Sequence, residues 1–261
     1  MDNAQKMKSP LPKEELYQKY AKNAKIHIMC AENSIVQDLL IILRDGNLQK
    51  NRELFNITME KLGSIFAYEI SKTLEYKPID VETPLGIADC KTLNNQPVIA
   101  SILRAALPLA NGMAKIFSEA DRAFVSAYRV YKSDHSFDVM IEYLASPLLS
   151  NRILFLCDPM LATGASMELS YKALVKEKGT PEHTHIINAL ASKEWLDYTI
   201  NQFPWADIRV GDVDGGTYTD SLNGEIIKGL NKKFYIVPWL GDSGDLSFGI
   251  KDDGKKQESV N

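Results

Sequence analysis

Cysteine is scarce in this sequence of 261 residues, which contains three: Cys30, Cys90 and Cys157. They are odd in number and widely separated, and no two of them form a C-x-x-C pair. Disulfide frameworks generally use an even number of cysteines, so this usage indicates reduced thiols in a cytosol. We therefore predict a cytoplasmic protein.

Long apolar runs and a strong charge imbalance are missing as well. The longest purely apolar run is Leu39 to Leu43, which is far too short to cross a bilayer. The N-terminal segment has no apolar stretch of the kind that secretory signals carry. The formal net charge of −4 gives no electrostatic reason to expect nucleic acid binding. We therefore expect neither a membrane nor a nucleic acid partner.

Apolar spacing predicts an α/β protein. A long amphipathic helix over 51–74 is followed by predicted strands and helices that alternate, which is typical of a parallel sheet covered on both faces. The two segments that flank the polar stretch 132–138 form a predicted projecting hairpin. The predicted strands are 97–103, 123–131, 139–144, 151–157, 183–191 and 207–213, and the predicted helices are 108–117, 166–179 and 192–203.

One strand end carries a pattern with chemical meaning. The strand 151–157 ends at Asp158, and small or hydroxylated residues follow at 163–166 before a helix begins. Free N–H groups at such a helix start favour a phosphate, and the lysine of a P-loop is missing. A ribose 5-phosphate fits, with its hydroxyls on Asp158. The alternative is a structural turn with Ser166 as the helix N-cap and Glu168 in the first turn.

A second candidate site involves two histidines. His183 and His185 would share one face of a predicted strand and could in principle bind a metal ion. Neither a cysteine nor a third histidine lies near them in the sequence, so we do not assign a metal site to them.

Three separated motifs together resemble one enzyme family. The segment DPMLATGAS (158–166) resembles the phosphoribosyl-pyrophosphate (PRPP) loop of type I phosphoribosyltransferases, in the form found in uracil phosphoribosyltransferases. SILRAAL (101–107) and YIVPWLGDSGDLSFG (235–249) resemble two further motifs of that family, in the same order. The likeness extends from about Ile35 to Gly249.

The resemblance implies a type I phosphoribosyltransferase-like fold. This is an α/β fold with a mostly parallel central sheet flanked by helices, a projecting β-hairpin arm and a small base-binding hood. We expect an N-terminal extension over 1–30, a single domain over 31–250 and a disordered tail over 251–261. The resemblance also implies a homodimer or a higher homo-oligomer.

The implied reaction transfers the 5-phosphoribosyl group of PRPP to uracil and yields UMP and pyrophosphate, a step of pyrimidine salvage. Asp158, Asp242 and Arg104 are the expected catalytic residues. A Mg²⁺ ion is implied as cofactor, bound by Asp242 through water. The residues expected to bind PRPP are Arg104, Arg129, Asp158, Pro159, Met160, Leu161, Ala162, Thr163, Gly164, Ala165, Ser166 and Asp242. Those expected to bind uracil are Ile236, Gly241, Asp242 and Ser243.

Departures from the family pattern leave two other hypotheses open. Trp239 and Leu246 stand where the family has a glycine and a basic residue, and alanine replaces glycine at 106 and 165. One alternative is a phosphoribosyltransferase for another or modified base, and the other is a PRPP- or UMP-binding regulator without turnover. The presence of Arg104, Asp158 and Asp242 favours catalysis, because a regulator could discard the residues that bind pyrophosphate.

Overall fold

A computed structural model of the chain describes residues 13–131, 137–161, 164–215, 217–219, 226–228, 236 and 240–250. In the first half of the chain the elements are α1 (Lys13–Tyr20), β1 (Ile26–Ile28), α2 (Ile35–Arg44), α3 (Arg52–Ser71), β2 (Tyr76–Thr83), β3 (Gly86–Leu93), β4 (Val98–Leu103), α4 (Leu107–Ile116) and β5 (Asp121–Tyr131). They continue with β6 (Phe137–Ala145), β7 (Ile153–Cys157), β8 (Met160–Leu161), α5 (Ala165–Lys178), β9 (His183–Ser192), α6 (Lys193–Gln202), β10 (Asp207–Asp214), β11 (Thr217–Thr219), β12 (Ile226–Lys228) and α7 (Ser243–Phe248).

The centre of the protein is an eight-stranded, mostly parallel sheet. Its strands follow the order β1-β10-β9-β7-β4-β5-β6, and β8 pairs with β9 beside that path. The pairing is parallel throughout except between β5 and β6. The predicted α/β class and the mostly parallel sheet are confirmed. Each strand and helix predicted from residue 97 onward matches an observed element within two residues at either end. The short elements β8, β11, β12 and α7 were not predicted.

Two apolar cores cover the two faces of this sheet. On β4, Ile99 faces a core formed with α2, α3 and α4, whereas Val98 and Ala100 face a core formed with α5 and α6. This alternation follows from the two-residue period of a strand. The predicted apolar stripe of α3 is buried in the first core, because α3 packs lengthwise on α4.

Glycine lets α3 and α4 approach each other closely. A Cβ on Gly63 would come within 2.0 Å of the carbonyl oxygen of Leu109, and one on Gly112 within 1.9 Å of the carbonyl oxygen of Glu60. The hydroxyl of Ser64 donates across the contact to the carbonyl oxygen of Gly112 at 2.9 Å. The helix pair that supports β4 therefore needs glycine at both positions.

Residues that the sequence placed in an N-terminal extension join the central sheet. β1 is the edge strand beside β10, and Leu16 and Tyr20 of α1 are buried. The Tyr17 hydroxyl donates to Asp212 at 2.8 Å, and Lys13 forms an ion pair with the same carboxylate. The division of the chain at residue 31 stays a prediction, as does the tail over 251–261, which lies outside the described residues.

Two antiparallel hairpins extend from the domain. β5 pairs with β4 up to Ser126, and after an irregularity at that point it continues with β6 alone, as the predicted hairpin required. β2 and β3 form a separate two-stranded sheet that the sequence did not predict. Both of its faces are largely exposed, and Leu85 in its turn is fully exposed. Among the described residues, no helix is both long enough and apolar enough to span a membrane.

Candidate active site

Asp158 lies at the carboxyl end of β7, in the middle of the sheet. Its backbone is fixed to β9, because its N–H donates to the carbonyl oxygen of Ile187 at 3.1 Å and its carbonyl oxygen accepts from Asn188 Nδ2 at 2.6 Å. The half-buried carboxylate accepts a long hydrogen bond of 3.4 Å from the N–H of Met160. In parallel sheets, ligands bind beyond this end of the strands.

The residues that follow Asp158 are bound to the sheet. The carbonyl oxygen of Pro159 accepts from the N–H of Leu190 at 3.0 Å, and Met160 and Leu161 form β8 against β9. Leu161 is buried in the core between the sheet and α5. The sequence predicted a phosphate-binding loop that includes these residues, and the structure pairs Met160 and Leu161 of that loop with β9. Ala162 and Thr163 lie outside the described residues.

The helix α5 begins at a glycine. Gly164 is the N-cap with φ +61°, a left-handed conformation that glycine adopts without strain, and its carbonyl oxygen accepts the helical hydrogen bond from Glu168 at 2.9 Å. The alternative prediction of Ser166 as N-cap is wrong, because Ser166 already lies inside the first helical turn. Since glycine has no capping side chain, the first N–H groups of α5 can receive an external anion.

An aromatic side chain of α6 covers the turn at Gly164, where the sequence predicted phosphate binding (the phosphate turn). A Cβ at Gly164 would come within 2.8 Å of the Trp195 ring and 3.3 Å of the Tyr198 ring. The Tyr198 hydroxyl donates to Glu168 at 2.6 Å, and Lys172 binds the same carboxylate. These hydrogen bonds, the one from Lys172 first, lower the pKa of Glu168. The negative charge of Glu168 beside the phosphate turn is therefore compensated.

Arg104 follows β4, the strand next to β7. Its Nη2 donates to Asp245 Oδ1 at 2.7 Å and to the carbonyl oxygen of Gly249 at 3.0 Å, and the peptide between Leu103 and Arg104 is cis. This ion pair joins the loop after β4 to the helix α7, although the two segments are far apart in sequence. Arg129 lies in β5 opposite Val139 of β6, and its side chain falls outside the described residues.

The residues predicted to bind the base are fixed in place by buried side chains and by a helix cap. Ile236 and Leu240 are buried, and Gly241 has φ +96°. Asp242 is the N-cap of α7, and its Oδ1 accepts from the N–H of Asp245 at 2.9 Å. Ser243 is buried, and its hydroxyl has no hydrogen-bond partner among the described residues.

Two residues of this segment, Leu246 and Trp239, depart from the family pattern, and the structure describes the first of them. Leu246, which stands where a basic residue was expected from the resemblance, packs against the core below α7. Its side chain would also contact a Cβ at Gly241 at 3.8 Å. Leu246 is thus a packing residue. Trp239 lies outside the described residues.

Sequence analysis missed two residues that shape the site. Asn188 holds the carbonyl group of Asp158, and Trp195 covers Gly164. The signal for Asn188 was its polar amide inside the apolar run of β9, because a buried amide generally has a hydrogen-bonding task. The position of Trp195 had no comparable signal, since it follows from the packing of α6 against α5.

The profile of the family described as Uracil phosphoribosyltransferase matches residues 30–250 of this chain. The chain belongs to the uracil phosphoribosyltransferase family. The matched range contains Asp158, Arg104 and α7. Asp158 and Arg104 follow the neighbouring strands β7 and β4, and α7 is joined to Arg104 through Asp245. The resemblance stated from the sequence motifs is therefore confirmed.

Individual uracil phosphoribosyltransferases are similar to this chain over most of its length. The uracil phosphoribosyltransferase of Porphyromonas gingivalis is 42% identical over 221 residues, which cover 85% of this chain and 96% of that protein. The one from Methanothermobacter thermautotrophicus is 34% identical over 224 residues, covering 85% of this chain and 95% of that protein. The solved structure of the AQ2163 protein from Aquifex aeolicus superposes with a TM-score of 0.72 at 26% identity, covering 87% of this chain and 99% of that one.

Proposed function

We propose that this enzyme transfers the 5-phosphoribosyl group of PRPP to uracil, forming UMP and pyrophosphate in pyrimidine salvage. The observation that carries the proposal is the meeting of Asp158, the N-terminus of α5 and the Arg104–Asp245 pair at adjacent strand ends, within a chain of this family. No protein nucleophile is needed, because positioning and charge stabilisation can drive the displacement of pyrophosphate.

The 5-phosphate of PRPP would bind at the start of α5. The N–H groups of Ala165 and Ser166 follow Gly164, an N-cap residue that has no capping side chain. The positive end of the helix dipole would add to their attraction for the phosphate. Asp158 would accept hydrogen bonds from the ribose hydroxyls next to that phosphate. Of the remaining predicted PRPP residues of this turn, Ala162 and Thr163 would contribute backbone N–H groups. Pro159 has no N–H to donate, and Met160 and Leu161 would position the turn through their pairing with β9.

The pyrophosphate group would be bound by guanidinium groups. Arg104 is suited to this role because its fork matches phosphate oxygens, and Arg129 is the second candidate. Arg104 already has an anionic partner in Asp245, and both side chains are about one-third exposed, at 35% and 36%. Binding of pyrophosphate oxygens would therefore exchange one anionic partner of Arg104 for another.

Phosphoribosyltransferases generally use Mg²⁺ with PRPP, and Asp242 fits a role in holding that ion. The side chain is exposed, and the N-cap hydrogen bond occupies Oδ1, so a hydrated ion could approach the carboxylate from solvent. When bound, Mg²⁺ offsets the negative charge of the pyrophosphate. Asp242 would orient the water molecules of that ion.

Main-chain groups would select uracil. The edge of uracil has two carbonyl acceptors around one N–H donor, which complements the carbonyl oxygen of Ile236 and the N–H groups of Gly241 and Ser243. Cytosine would present a donor to an N–H group and leave both unpaired, which is a strong basis for discrimination. The buried hydroxyl of Ser243 offers this pocket one more polar group.

A homodimer or higher homo-oligomer and a cytoplasmic location complete the proposal. The oligomer follows from the family resemblance. The location rests on cysteine usage, and all three cysteines are described and unpaired.

The decisive experiment supplies the purified protein with PRPP, Mg²⁺ and a panel of bases. We expect pyrophosphate release and UMP formation with uracil. Turnover with a different base and not with uracil would identify that base as the substrate. Tight binding of PRPP or UMP without turnover on any base would make the protein a regulator and refute the proposed transferase activity.

A further inference from the structure

A second group of side chains lies at the opposite end of the sheet. His183 is the first residue of β9, Asp207 is the first of β10, and Asp207 pairs in register with His185. Residues two apart on a strand share a face, so both imidazoles lie on the same side of the sheet as the carboxylate. The sequence lacked a third ligand near the histidines, and the strand order supplies it.

The three side chains converge on one point. Asp207 Oδ2 lies 2.7 Å from His183 Nε2 and 3.8 Å from His185 Nδ1, and one ligand atom from each residue lies within 4.8 Å of the others. The two imidazole rings meet edge to face at a centroid distance of 4.8 Å. Tetrahedral Zn²⁺ with bonds of about 2.0–2.2 Å places its ligands about 3.3 Å apart. Small side-chain rotations would give these separations.

His185 supplies an independent reason to expect a ligand. Its side chain is 2% exposed, and Nδ1 has no hydrogen-bond partner in the described part of the chain. The distance of 3.8 Å to Asp207 is too long for a hydrogen bond. Burial of an unpaired ring nitrogen is costly, and such groups in native proteins generally have a partner. A cation between the three side chains would provide one.

The ligand atoms of the group decide which cation fits. The three side chains offer two imidazole nitrogens and one carboxylate oxygen. Arg209 is itself buried and interacts with Asp207 and with Glu69 of α3. Two imidazoles with one carboxylate suit Zn²⁺ and similar ions, whereas Mg²⁺ prefers oxygen ligands.

We propose that His183, His185 and Asp207 form a binding site for a transition-metal dication of the Zn²⁺ type, separate from the PRPP site. The His183 side chain is 38% exposed, so the ion could enter from solvent and retain a water molecule as its fourth ligand. The ion would join the first residues of β9 and β10. This site is independent of the transferase activity proposed above.

The test uses the full chain, freed of metal, with Cys90→Ser as background because that thiol is exposed. Calorimetric titration with Zn²⁺ in excess Mg²⁺ should show one equivalent bound, and Co²⁺ should give the visible absorption of a tetrahedral site. His183→Gln and Asp207→Asn should each weaken Zn²⁺ binding by about a hundredfold. His27→Gln, a histidine on the neighbouring strand, should leave the affinity unchanged.

Several results would overturn the proposal. These are the absence of saturable Zn²⁺ binding in the Cys90→Ser protein, binding that survives both His183→Gln and Asp207→Asn, and binding that Mg²⁺ displaces. Far-UV circular dichroism verifies that each variant is folded. Because His183 is partly exposed, its substitution tests the site even if variants of the buried His185 fail to fold.

Discussion

The two halves of the candidate active site are held in different ways. The half proposed to bind phosphate, the phosphate half, is fixed through its backbone, since Asp158 and Pro159 are hydrogen-bonded to β9 and Gly164 sets the start of α5. The half proposed to bind the base, the base half, is fixed through buried side chains such as Leu240 and through the Asp242 cap. We therefore expect few substitutions to be tolerated in the phosphate half, where the backbone itself is anchored. In the base half, a buried apolar side chain can be exchanged for another of similar volume.

Loss of the Asp158 charge should have the largest effect on the phosphate half. Asp158→Asn removes a charged acceptor for the ribose hydroxyls, and we expect kcat/KM for PRPP to fall by about 10- to 100-fold. The melting temperature should stay unchanged, because the backbone hydrogen bonds to Ile187 and Asn188 do not involve the carboxylate. Steady-state kinetics and thermal unfolding measure the two effects. Unchanged kinetics would remove Asp158 from the site.

A side chain at Gly164 should harm both stability and PRPP binding. Gly164→Ala forces a non-glycine residue to φ +61° and brings its Cβ against Trp195, which should cost about 1–3 kcal/mol in the free energy of unfolding. The matched control is Gly46→Ala, because a Cβ at Gly46 meets only the end of the Gln49 side chain at 3.8 Å. Equal stability of the two variants in denaturant titrations would contradict the importance of the left-handed cap.

Substitution of Asn188 tests whether the backbone hydrogen bonds around Asp158 affect PRPP binding without affecting uracil binding. Asn188→Ala removes the hydrogen bond to the carbonyl group of Asp158, so we expect KM for PRPP to rise by roughly fivefold to tenfold. KM for uracil should change little. The control is Ser170→Ala, which removes a buried hydroxyl without a hydrogen-bond partner among the described residues. A parallel rise in both KM values would mean that Asn188 supports the domain as a whole.

The ion pair between the two halves should have the smallest effect. Asp245→Asn breaks the partly exposed pair with Arg104, and the free energy of unfolding should fall by less than about 1 kcal/mol. Product inhibition by pyrophosphate should become stronger, since Arg104 loses a competing anion. Lys72→Gln, which breaks the exposed pair with Glu69, is the control. Unchanged inhibition by pyrophosphate would separate Arg104 from the pyrophosphate site.

Sequence analysis predicted those parts of the fold that apolar periodicity specifies. The stripe of α3 and the strands β4, β7, β9 and β10 have a buried face or two buried faces, so their spacing is informative. β2 and β3 were missed because neither of their faces is buried, and β8 because two residues cannot show a period.

The site was predictable where a local motif carries it and not where strand register does. Asp158 and Gly164 belong to one continuous segment. The contact of Asn188 with Asp158 and the meeting of Asp207 with the two histidines depend on how β9 lies beside β7 and β10. A single sequence does not contain that pairing, so Asn188 was missed and the third potential metal ligand was not found.

The indole of Trp195 gives the phosphate turn an optical reporter. Its ring lies directly over Gly164, so an anion held at the start of α5 should alter the electric field around the indole. In a Trp239→Phe protein, which lacks the third tryptophan, intrinsic fluorescence could then follow occupancy of the turn without a label and without turnover. Trp205, which packs against Tyr171 and Phe203 away from the turn, would supply a steady background.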